Sequence, residues 1–275
     1  MTPPNVSDCP IPTTRSGDAQ RYLEAHGIMS RIPGIRSSDD GILNTSPHTY
    51  YLQRRLGLLP ARWYSEALSR GSWFHKRLEA MGSPSPTAFM EGAISKRCEE
   101  ITELNGTTGQ IGAANDRALE RERNDALTAW TWFDVAQDLP ATPSGVSFRK
   151  FVTGPNWRVL GREVRIVLRS KEAPGTPLVA QYDLILLNTD DNSVWIIDAK
   201  TCSEDATTRA LTCPYEFQTR HYLFILKTAI EEGLLQRHFG LSADTKLGQM
   251  VHWCVQKCTL VFGLMDRDFR ETPHT

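Results

Sequence analysis

The chain has 275 residues, of which 40% are hydrophobic and 23% charged, with a net charge of −1. A chain of this length buries roughly three quarters of its unfolded surface, which excludes a need for disulfide or metal staples. No apolar run reaches the roughly 18 residues of a membrane span, and Cys9, Cys98, Cys202, Cys213, Cys254 and Cys258 are too scattered for a disulfide framework. There is no apolar signal-peptide core after Met1, so the expected compartment is the reducing cytoplasm, with no membrane partner.

The opening "MTPPNVSDCPIPTTRSGDAQ" is rich in Pro, Ser and Thr and short of large apolar groups, and residues 1–36 are expected to be a mobile N-terminal segment. A single domain over 37–265 follows, with a helical part at 37–140, a sheet core at 146–262 and a tail at 266–275. "SPHTYYLQRRLGLL" predicts a helix capped by Ser46 with Pro47 at its first position. "ARWYSEALSRGSWFHKRLEAMG" carries helix-period apolar residues up to Gly82, and a further helix is predicted over 113–138. From Val146 the character changes: "SFRKFV", "RVLGREVRIVLRS", "PLVAQYDLILLN" and "SVWIIDAKT" read as strands, with "TDDNS" as the turn between the last two. "PYEFQTRHYLFILKTAIEEG" returns to helix, and "MVHWCVQKCTLVFG" reads as one late strand. The fold class is α/β with a helical N-terminal part.

Charge is uneven along this order. Residues 46–78 hold Arg54, Arg55, Arg62, Arg70, Lys76 and Arg77 against Glu66 alone, and residues 146–171 hold seven basic residues against Glu163 alone. Residues 183–205 carry six acids against Lys200. Basic flanks around an acidic centre suit a polyanion held about a metal site, although solvated faces produce the same pattern. The acidic centre contains an oddity: in "SVWIIDAKT" alternation puts Asp198 and Lys200 on the face that Val194 and Ile196 turn inward. A buried ion pair is rarely worth more than an apolar pair, so stability is a weak reason for it. Asp183, 15 residues earlier in "QYDLILL", reaches the same end of the sheet if the two strands form an antiparallel pair. Two carboxylates, a backbone carbonyl and a lysine are what a hard cation and its bound water require.

In these pieces and their order, the sequence resembles the PD-(D/E)XK nuclease superfamily, in particular its RecB-like and RecE-like exonucleases. "GSWFH" is similar to the Gly-x-x-x-His helix and supplies His75; "GREVRI" supplies the upstream acid Glu163; "YDLILL" supplies Asp183; "IIDAK" supplies Asp198, the Ala199 carbonyl and Lys200; "QTRHY" resembles Gln-x-x-x-Tyr and supplies Gln218 and Tyr222. The resemblance implies a restriction-endonuclease-like core, a mixed central sheet flanked by helices. It implies His75, Asp183, Asp198 and Ala199 as holders of Mg²⁺ or Mn²⁺, and Asp183, Asp198, Lys200, Glu163, Gln218 and Tyr222 as the catalytic set. Arg54, Arg55, Arg70, Lys76, Arg162 and Arg165 are expected to bind DNA, with Trp63, Trp73 and Trp157 near them in sequence. One departure is Ala180, where the family often has glycine. No cysteine stands early enough to complete the four thiolates of an iron-sulfur cluster, so none is expected. There is no phosphate-binding Gly-x-x-x-x-Gly-Lys-Ser/Thr loop and no Gly-x-Ser-x-Gly elbow. The expected activity is metal-dependent exonuclease action on DNA in phage or mobile-element recombination; the alternatives are a structure-specific endonuclease and a non-catalytic nucleic-acid-binding module. Expected partners are DNA, further copies of the chain in a homo-oligomer, and a single-strand annealing protein or helicase.

Overall fold

Three apolar runs separated by turn residues become three antiparallel strands: β2 (Trp157–Leu168), β3 (Leu178–Asn188) and β4 (Ser193–Thr201). The computed structural model describes residues 35–36, 66–107, 112–142, 144–168, 177–202, 205–256 and 259–263. The tight β3–β4 turn places Asn192 at φ 56°, a conformation that asparagine tolerates better than most residues. After β4 the chain crosses over through α5 (Ala206–Thr212), a 3₁₀ turn (Cys213–Tyr215), α6 (Phe217–Glu231) and α7 (Leu234–Phe239). It returns as β5 (Lys246–Val255), parallel to β4, as a crossover of this length permits. β6 (Thr259–Gly263) pairs antiparallel with β5. The helices before the sheet are α1 (Glu66–Ala80), α2 (Pro86–Thr107), α3 (Ala113–Ala136) and the short α4 (Phe148–Val152). The result is the mixed sheet flanked by helices that the sequence implied.

The sheet forks at its centre. β3 pairs with β2 along most of its length, but its other edge is shared: Leu184–Asn188 pair with β4, whereas Leu178 and Val179 pair with the short parallel strand β1 (Ile35–Arg36). Between these stretches β3 and β4 part company. Facing changes there too, because Tyr182 packs in one core and Leu184 in the other. One core lies between the sheet and α1, α3 and α4, with Phe74, Phe133, Phe148 and Trp253 at its centre. Phe148 stacks on Trp253 at a centroid separation of 3.7 Å. The second core packs Val194, Ile196 and Ile185 against Leu223, Ile225 and Leu226 of α6. Phe74 is fully buried, so Phe74→Ala is expected to cost about 3–5 kcal/mol, measurable by denaturant unfolding.

The structure corrects several expectations. "SFRKFV" is helical, not a strand: Ser147 caps it by accepting from Lys150 N at 3.3 Å, and Phe148 and Val152, four residues apart, are buried together. Six residues are too few for the two periods to be told apart. The late strand is two strands, β5 and β6, in a hairpin, and it begins earlier, at Lys246. α2 went unread although Met90, Ile94, Cys98 and Ile101 recur at helical spacing; among its residues of described exposure only Met90 and Cys98 are buried. The segment boundary expected at residue 36 falls on sheet residues, since Ile35 and Arg36 are β1. The helix read in "SPHTYYLQRRLGLL", together with Arg54, Arg55 and Trp63, lies outside the described residues. Cys254 is in β5, where it packs with Cys202 and Cys213, and Cys258 also lies outside them.

Candidate active site

The site gathers at the fork. With β4 no longer alongside, the Asp183 carboxylate replaces the missing ladder partner, and its Oδ2 accepts the Ala199 backbone N–H at 2.7 Å. Its Oδ1 lies 3.0 Å from His75 Nδ1. His75 reaches it because α1 comes close to the end of β4: a Cβ on Gly71 would meet Thr201 Oγ1 at 3.3 Å, and His75 stands one turn further along. In a Gly-x-x-x-His helix the glycine therefore sets the approach that the histidine uses.

Glu163 arrives by a strained route. Its φ is 51°, in the left-handed region that costs a non-glycine residue about 1 kcal/mol or more. The kink carries Glu163 Oε1 to 3.8 Å from His75 Nδ1, while Gln181 donates to Glu163 Oε2 at 2.6 Å. Ligand atoms of His75, Glu163 and Asp183 all lie within 4.8 Å of one another. Glu163 Oε1 is buried and has no hydrogen-bond partner. Two carboxylates and one imidazole, with a buried oxygen left over, suit a divalent cation such as Mg²⁺ or Mn²⁺.

Asp198 and Lys200 line the α6 side. Lys200 Nζ lies 3.0 Å from Asp198 Oδ2 and donates to Gln218 Oε1 at 2.8 Å. Tyr222, one turn beyond Gln218 on α6, hydrogen-bonds it in turn. Tyr182 donates its hydroxyl to the Tyr222 carbonyl at 2.9 Å, which ties α6 to β3. Burial opposes the His75 imidazolium, but the charge and hydrogen bond of Asp183, helped by Glu163 and Asp198, raise its pKa to about 9. Burial, with Asp183 beside it, pushes Glu163 up to about 7. Burial also pushes Asp198 up to about 6; Lys200 opposes the rise and Asp183 adds to it. Asp183 itself is held below the ordinary range, because His75, Lys200 and the Ala199 N–H outweigh its burial.

These shifts make a pH prediction with a definite sign. His75, Glu163 and Asp198 each bind a proton more tightly folded than unfolded, so stability falls as pH rises through their windows: from 3.8 to about 6 for Asp198, 4.5 to about 7 for Glu163 and 6.5 to about 9 for His75. Asp183 has the opposite sign below 3.8, and His252, lowered to about 3 by burial, opposes the fall between about pH 3 and 6.5, where from about pH 5 upward the other three outweigh it. The melting temperature of the metal-free protein is expected to drop from about pH 5 to about pH 9. Saturating Mg²⁺ or Mn²⁺ is expected to flatten the drop, because the cation competes for the same sites as the protons. A decline that metal leaves unchanged would separate the cluster from cation binding.

Of the basic residues picked from the sequence, Arg70, Lys76, Arg162 and Arg165 lie among the described residues. Arg70 pairs with Glu66 and with Asp125 of α3 and lies over Trp132. Lys76 pairs with Glu79 at 2.7 Å. Arg162 is half-buried against Gly82, and Arg165 is buried. Trp73 is a core residue that donates to Glu122, and Trp157 packs on Trp195. Three residues at the site escaped the sequence reading: Gln181, His252 and Thr219. The one available signal was a histidine inside the apolar run "MVHWCV" of β5, since a buried polar residue in a strand calls for a partner.

A family model described as the PD-(D/E)XK nuclease superfamily matches residues 42–263. The chain belongs to that superfamily, and membership indicates a nuclease, a hydrolase of a class that generally uses divalent metals. No protein with a curated description matches the sequence. Among the described residues no helix is long and apolar enough to cross a membrane.

Proposed function

We propose that the protein is a divalent-metal-dependent DNA exonuclease of the RecB-like and RecE-like type. The observation that carries this reading is the His75, Glu163 and Asp183 cluster set beside the Asp198–Lys200 pair at one fork in the sheet. His75, Glu163 and Asp183 would hold Mg²⁺ or Mn²⁺, with Asp198 and the Ala199 carbonyl beside them. Bound there, the cation supplies Lewis-acid polarisation of a phosphate oxygen and a bound water of lowered pKa. The protein's own groups do the rest. The Lys200 ammonium, whose pKa is raised by Asp198 and Asp183 despite burial, stays charged and faces the developing negative charge of the phosphate. Gln218 fixes the direction of that ammonium and Tyr222 fixes Gln218.

The finer assignment, end-directed digestion, rests on the resemblance of "GSWFH", "IIDAK" and "QTRHY" to nucleases that thread a strand end. With Mg²⁺, linear DNA is expected to be degraded to nucleotides or short products while a covalently closed circle survives the same incubation. Circles linearised as fast as linear DNA is shortened would transfer the assignment to an endonuclease. DNA binding without cleavage in either metal would leave a binding module.

A further inference from the structure

On the α6 side of the site is a buried group that the proposed chemistry leaves unused. His252 of β5 is the register partner of Asp198 across the parallel β4–β5 ladder, and the two are exposed by 1% and 2%. Its Nε2 lies 3.1 Å from Thr219 Oγ1 and 3.8 Å from Asp198 Oδ2. Thr219 has one hydroxyl proton, and it goes to the Cys213 carbonyl at 2.7 Å. Thr219 Oγ1 therefore has only acceptor capacity left for the imidazole, so His252 carries its hydrogen on Nε2 and donates it to Thr219. Nδ1 is left bare and buried, without a hydrogen-bond partner. Burial and the charges of Lys200 and Arg209 keep the ring neutral, so it adds a fixed dipole and no charge.

α6 thereby reaches both members of the Asp198–Lys200 pair from consecutive residues. Gln218 accepts from Lys200 directly, at 2.8 Å. Thr219 holds the His252 ring, whose edge lies against Asp198 without a hydrogen bond to it. We infer that the Thr219–His252 pair is a positioning device: the Nε2–H is donated to the Thr219 hydroxyl oxygen, and this bond fixes the imidazole edge 3.8 Å from Asp198 Oδ2, beyond hydrogen-bond distance, so that the ring holds the Asp198 carboxylate beside the cation site by packing and by its dipole. The inference builds on the metal-nuclease reading above. Groups that orient a carboxylate from behind govern both metal affinity and turnover, commonly by ten- to a hundredfold.

The test compares four single variants in the full-length protein: His252→Gln, His252→Asn, Thr219→Ser and Thr219→Val. Glutamine places an amide N–H near the position of Nε2, whereas asparagine places one near Nδ1; serine keeps the hydroxyl and valine removes it. Mn²⁺ affinity by calorimetry, and kcat and KM on linear DNA, are expected to stay within about threefold of wild type for His252→Gln and Thr219→Ser. His252→Asn and Thr219→Val are expected to lose about tenfold or more in Mn²⁺ affinity and kcat with KM for DNA unchanged, in the range of such supporting groups. Circular dichroism identifies any variant that fails to fold, and the two independent pairs leave the comparison open if one does. Equal behaviour of glutamine and asparagine, together with equal behaviour of serine and valine, overturns the inference. Mn²⁺ binding that follows the expected order in a protein that cuts no DNA supports the positioning role and overturns the nuclease reading alone. A wild-type protein that binds no Mn²⁺ overturns both.

Discussion

Lys200→Met is expected to lower kcat on linear DNA by about 10²–10⁴-fold, the range for a group that assists at the reacting centre, with DNA affinity and the circular dichroism spectrum preserved. Methionine retains most of the length of the lysine stem and removes only the ammonium, so the buried space stays filled. The variant separates an Asp198–Lys200 pair kept for chemistry from one kept for stability. Breaking a buried pair ordinarily strands the remaining charge at a cost of about 3–5 kcal/mol. Here Asp198 has an escape, because its pKa is already pushed up to about 6 and rises further without Lys200, so it can take a proton. The loss should therefore appear in rate far more than in stability. Activity within a few-fold of wild type would remove Lys200 from the mechanism and leave the pair structural.

Asp183→Asn is expected to weaken Mg²⁺ or Mn²⁺ binding by about tenfold or more and to reduce cleavage at least in proportion, even at saturating metal. The reasoning is local. The amide oxygen of asparagine can still accept the Ala199 N–H that Asp183 takes at 2.7 Å, so the fork is preserved. What disappears is the charge that holds the His75 pKa up at about 9. His75 should then titrate closer to its ordinary value, and the pH-dependent fall in stability of the metal-free protein should shift to lower pH. Calorimetry with Mn²⁺ and a pH series of melting curves read the two effects separately. Unchanged metal affinity would place Asp183 outside the ligand set.

Much of this arrangement was legible in the sequence because it is written in local periods. "SVWIIDAKT" announces both its strand and the anomaly of Asp198 and Lys200 in alternation alone, and Gln218 and Tyr222 are one helical turn apart wherever the helix packs. The turn "TDDNS" fixes the pairing that brings Asp183 and Asp198 to one end. What stayed hidden depends on contacts between distant segments. The left-handed φ of Glu163 belongs to a residue type that rarely adopts it. Gln181 matters only because that kink turns Glu163 toward it, and His252 matters only because the crossover through α6 returns β5 beside β4. Charge counted along the chain says nothing about intramolecular partners: Arg70 is engaged with Asp125 and Arg165 is buried. α4 was missed because a helix of five residues shows too little of its period.

A strand that leaves its neighbour exposes a row of unmet N–H and C=O groups, the kind of edge on which foreign strands nucleate aggregates. In this sheet the departure of β3 from β4 opens a gap of that kind at Ala199, in the interior rather than at the surface, and the carboxylate of Asp183 fills it. Ala199 is fully buried, so this one side chain meets an interior N–H while presenting its other oxygen to His75. Substitutions at this position that lose the acceptor, such as alanine, would combine lost chemistry with a buried unsatisfied N–H at this seam, at a cost of about 1–3 kcal/mol. The seam also explains how a costly buried acid can be kept at a place where sheet pairing fails: the gap in pairing supplies the hydrogen bond that makes its burial tolerable.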